Sequence, residues 1–145
     1  MKIVIGFLTI LMMFVFTIPV NAGGKEELKK YFNNAANKVI ATENVSEKRE
    51  ILNESFENMH KVLDEARNSG LISKEDQSGI DNFKAAIQEK QDELEGRNGF
   101  ERVSDSQLNS FSLYVVQDME QAAAGITISL LALVIIAILL VVFVF

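Results

Sequence analysis

From Ala122 to Phe145 the sequence reads AAAGITISLLALVIIAILLVVFVF, 24 residues without a charge or a proline. As one helix that stretch would reach about 36 Å at ~1.5 Å per residue, against roughly 30 Å for the hydrocarbon of a bilayer. Of the 20 residues from Ile126 onward, 16 are Leu, Ile, Val or Phe, and each favours insertion by about 0.3–0.6 kcal/mol. The spacing predicts a single-pass transmembrane helix over 122–145. The competing reading is a core helix, and core helices seldom carry more than about 18 unbroken apolar residues.

The other end is apolar too. Met1 to Ala22 places Lys2 before an uncharged run from Ile3 to Ile18, then Pro19 and Val20-Asn21-Ala22. Small residues at −3 and −1 suit a signal peptidase, so 1–22 reads as a signal peptide cleaved after Ala22. The alternative is a retained first anchor. In either case Lys2 stays inside and the middle of the chain crosses. The expected location is the cell (inner) membrane, single-pass, with the domain 23–121 in the periplasm or outside the cell.

That middle segment holds all 20 acidic residues against 13 basic ones. So acidic a domain repels phosphate backbones, which sets nucleic acid aside as a partner. Cysteine is absent, which excludes disulfides, thiol catalysis and cysteine-based zinc sites. Stability has to come from packing.

The pattern within 23–121 is helical throughout. Leu28, Tyr31, Phe32, Ala35 and Val39 recur at three and four and give the first helix, Lys25 to about Thr42, one apolar stripe. A second helix starts near Ser46 or Glu47, and its Leu52, Phe56, Met59, Leu63 and Ala66 step by four and three as a coiled-coil seam does. Ser69-Gly70 ends it, and Ser73 with Glu75 and Asp76 opens a third, striped by Ile80, Phe83, Ile87 and Leu94. Gly96-Arg97-Asn98-Gly99 is a break. Ser104-Asp105-Ser106-Gln107 has the form of a capping box, and the stripe Leu108, Phe111, Val115, Met119, Ala122 continues into the apolar end. The expected fold is all-α: a small antiparallel helical bundle or hairpin of three to four helices, continuous as one rod with the transmembrane helix.

Groups that carry chemistry are sparse. His60, the single histidine, stands in Glu57-Asn58-Met59-His60 with Asp64 on the same row. That E-x-x-H spacing serves di-iron bundles when it occurs twice, and here it occurs once, beside the seam. A solvated helix flank accounts for it more simply. No phosphate loop, dinucleotide fingerprint or nucleophile with a base is present, so no catalytic residue, metal ligand or cofactor is assigned.

The chain therefore reads as a non-catalytic, membrane-anchored helical interaction module, an accessory or scaffold subunit of a membrane assembly. A protein partner or a second copy would engage the seam Leu52, Phe56, Met59 and Leu63. In the membrane it would engage the small-residue face Gly125, Ser129 and Ala132. The alternative is a ligand- or metal-sensing bundle that passes its occupancy to a membrane partner through the rod.

Overall fold

The computed structural model describes residues 23–144, and the expected signal peptide 1–22 lies outside them. Among the described residues there are five helices and no strand: α1 (Gly23–Ala41), α2 (Val45–Asn68), α3 (Lys74–Glu95), α4 (Leu108–Gly125) and α5 (Leu130–Val144).

The punctuation follows local chemistry. The Asn44 side chain accepts the Glu47 N–H at 3.1 Å and caps α2, which begins at Val45, one or two residues ahead of the expected start. Ser73 Oγ accepts the Asp76 N–H at 3.2 Å and caps α3 as its sequence suggests. Gly70 and Gly96 take φ of 77° and 72°, the left-handed cap conformation that costs glycine nothing. The expected capping box at Ser104 does not form. Its hydroxyl makes no cap bond, and Asp105–Gln107 wind as a 3-10 turn before α4 begins at Leu108.

Helices α2 and α3 form the expected antiparallel hairpin. Asn53 pairs with Glu95, Asp64 with Lys84 and Arg67 with Asp81, so that as one number rises the other falls by the same amount. These pairs are partly exposed and fix register more than they add stability. Helix α4 runs antiparallel to α1, with Lys29 reaching Glu120 at one end and Lys48 bridging the Val39 carbonyl and Asn109 at the other. The stripes expected from spacing all face inward. Val39, Phe56, Met59, Leu63, Ile80, Ile87, Leu94 and Leu108 are fully buried in one core.

The C-terminal segment departs from the rod. Helix α4 ends at Gly125, Ile126 is extended (φ −103°, ψ 131°), and α5 starts afresh at Leu130 and packs against α1 and α2. Gly125 and the β-branched Ile126, Thr127 and Ile128 are all poor in a helix, and Ser129 is a good cap. Folding back also buries apolar surface that a projecting rod would leave uncovered. With 15 residues, α5 spans about 22 Å. No helix among the described residues is long and apolar enough to cross a membrane.

Candidate functional site

The most distinctive local chemistry is the seat of α5. Ser129 starts that helix in two ways: its carbonyl accepts the Leu133 N–H at 3.1 Å, and its hydroxyl accepts the Ala132 N–H at 3.2 Å. Its own N–H donates to Asp76 Oδ1 at 2.7 Å, tying the α4–α5 joint to the first turn of α3. Asp76 is 8% exposed. The Ser129 side chain holds its carboxyl below the usual carboxylate range against the opposing effect of burial, and the Ser129 N–H and Ser73 lower it further.

Two glycines make room for this arrangement. Gly79 is buried inside α3, where alanine would be the better helix former by about 0.5–1 kcal/mol. A Cβ there would lie 2.8 Å from the Thr127 carbonyl oxygen and 2.8 Å from Ile128 Cγ1. At Gly24, near the start of α1, a Cβ would overlap Leu133 Cβ and come within 2.9 Å of the Leu133 carbonyl carbon. Both sites are notches that the joint and α5 fill. Helix α5 then runs parallel to α1, because its far end, Val144, lies with Tyr31, Ala35, Ile51 and Ser55 around a cleft of about 290 Å³.

Only one side of α5 is covered. Ala132, Leu133, Ile136, Ala137 and Leu140 are buried, whereas Leu131 is 62% exposed, Val142 52% and Phe143 58%. No residue of the helix is polar. Ordinary surface helices set a polar face against solvent, and a helix that is apolar all round is one built for apolar surroundings on every side.

The residues singled out from sequence are placed as follows. The seam Leu52, Phe56, Met59 and Leu63 faces this chain's own core with exposures of 2% or less, and in this conformation its surface is filled from within. Gly125, Ser129 and Ala132 do not share one helix face: Gly125 closes α4 in open space, Ser129 caps α5, and Ala132 is buried under it. His60 keeps its place on the flank of α2, but Asp64 beside it pairs with Lys84. Burial and the nearby Lys84 charge lower the imidazole's pKa, with Asp64 and Glu57 opposing, and Nε2 is buried without a hydrogen bond. Among the described residues no three His, Asp or Glu side chains converge as a metal site would need.

Besides Lys48, two further buried cations brace the bundle. Lys90 is 2% exposed and bonds Glu93 at 2.6 Å, Asp118 at 3.0 Å and the Tyr114 hydroxyl at 2.9 Å. Burial works against its charge, but these bonds prevail and raise its pKa above the usual lysine value. Arg49 donates to the carbonyls of Leu94 and Val103 and to Asp105, which pins the α3–α4 connection to α2. Both clusters join helices within the core. Sequence spacing gave no sign of either, nor of Asp76. Gly79, an isolated glycine within a helical pattern, was the one visible signal.

No protein-family model, curated protein or solved structure matches the chain. Its role has to be read from this chemistry.

Proposed function

We propose that the chain is an exported, membrane-associated and non-catalytic helical interaction module, an accessory or scaffold subunit of a membrane assembly. Residues 122–145 supply the anchor, and the acidic domain 23–121 stands outside the cytoplasm. The observation that carries this reading is α5: fifteen apolar residues without a polar one, laid on the bundle with one side uncovered.

The energies are of the same size in both settings. Burying Leu133, Ile136 and Leu140 in the groove contributes about 5–9 kcal/mol gross, at roughly 1.5–3 kcal/mol each. Inserting the apolar residues from Ile126 onward gains about 5–10 kcal/mol. Spanning a bilayer requires residues 126–129 to become helical, so that 122–145 reaches about 36 Å. The groove lost on insertion is offset by the lipid gained.

The test uses the intact chain expressed in a bacterial host. It is expected to stay with membranes through an alkaline wash, while a version truncated after Gln121 is released. Protease added to spheroplasts is expected to digest the domain. A protein that is strictly monomeric in mild detergent, and that crosslinks to nothing in native membranes, would remove the scaffold role.

A further inference from the structure

We propose that α5 has two resting places, the α1/α2 groove of its own bundle and the acyl interior of a bilayer, and that residues 126–129 are the joint that closes into helix when it moves. This rests on the anchor reading above, and it adds what the anchor does when no lipid is present.

Four observations lead there. Helix α5 is apolar around its whole circumference, so it has no polar face that lipid would reject, while the groove leaves one side of it in water. The groove covers only the side carrying Leu133, Ile136 and Leu140, and lipid would cover the rest. The joint is short and free of proline, and its extended Ile126 is followed by Ser129, whose N–H is held by Asp76. Finally, Gly24 and Gly79 leave space that the folded-back segment fills. With the joint closed, α4 and α5 become one helix whose last 24 residues carry no charge.

The glycines make the proposal testable, since Gly24→Ala and Gly79→Ala improve helix propensity and harm only the seat. The full chain is made in a lipid-free cell-free reaction and then mixed with phosphatidylcholine vesicles carrying a nitroxide either deep or shallow in the acyl chain. The chain has no cysteine, so Leu131→Cys or Val142→Cys carries a single fluorophore on the uncovered side of α5. In a spanning helix position 131 lies near the bilayer centre and position 142 near one edge. Deep nitroxide should therefore quench the first label far more than the second, and shallow nitroxide the reverse.

Overpacking of this kind shifts an equilibrium by about tenfold or more. Each alanine variant is therefore expected to reach half-insertion at about a tenth of the lipid that the parent chain needs. Asp76→Asn adds no bulk and is expected to act in the same direction. It decides the matter if circular dichroism shows that the alanine variants have lost their helices. Parent and variants inserting at the same lipid concentration would overturn the two-place proposal and leave the anchor standing. Equal quenching at 131 and 142 would mean adsorption without spanning, which overturns both readings, as would no quenching in any variant.

Discussion

The Asp76 carboxylate accepts the backbone N–H of Ser129, 53 positions further along the chain, at 2.7 Å. That bond joins the first turn of α3 to the residue that starts α5, and it ties one ionised group to the place where the apolar end turns back.

Because Ser129 and Ser73 hold the Asp76 carboxyl below its usual value, the bond stabilises the fold fully above the ordinary carboxylate pKa of about 4. Its contribution is lost as pH falls through the lowered folded value. Asp76→Asn is expected to cost about 1–2 kcal/mol at pH 6. In urea titrations the gap between parent and variant should close towards pH 2, and a gap independent of pH would contradict the assignment.

His60 adds to the same trend at higher pH, because burial disfavours its charged form. Its folded pKa is lowered by burial and by Lys84, so below the usual histidine value of about 6.5 the unfolded chain binds the proton first. Stability should therefore fall as pH drops below that value, and level off below the lowered folded one. His60→Gln is expected to flatten this part of the profile. The difference between the two denaturation midpoints across pH 8 to 5 reads it directly.

Lys90 is a buried charge shared by two carboxylates. Lys90→Met fits the space but leaves Glu93 and Asp118 facing each other without their shared cation. A loss of about 2–4 kcal/mol is expected. The double change with Asp118→Leu should lose less than the sum of the two single changes, and strict additivity in that cycle would refute a shared network.

Helix starts offer a contrast between two similar-looking signals. Asn44 caps α2 with its side chain, so Asn44→Ala should cost about 0.5–2 kcal/mol. Ser104 makes no such bond, and Ser104→Ala should lie within about 0.5 kcal/mol of the parent. Thermal midpoints of the two variants measured side by side check the assignment of each start.

The bundle was legible wherever a local period expresses a buried face. Leu52, Phe56, Met59 and Leu63 repeat at helical spacing because one side of α2 meets the core, and any reader of that spacing recovers the hairpin. What spacing cannot carry is a partner far along the chain, so in the sequence Asp76 is only a first-turn acid and nothing marks Lys90. The joint at 126–129 is a different case. Gly125, three β-branched residues and a capping serine stand in plain view, but averaging hydropathy over the whole apolar end submerges them. The continuous rod is expected for that reason, and the fold corrects it together with the shared face of Gly125, Ser129 and Ala132 that depends on it.

Helix α5 offers its neighbours nothing but hydrocarbon, so no hydrogen bond or charge says which way it should be turned about its axis. Its orientation is decided by contour: Leu133 beside Gly24, and the joint beside Gly79. Recognition by outline alone is permissive. Exchanging Val141 for Leu or Phe143 for Ile should leave the docked position where it is, whereas one methyl group placed on either glycine should loosen the hold on the whole segment.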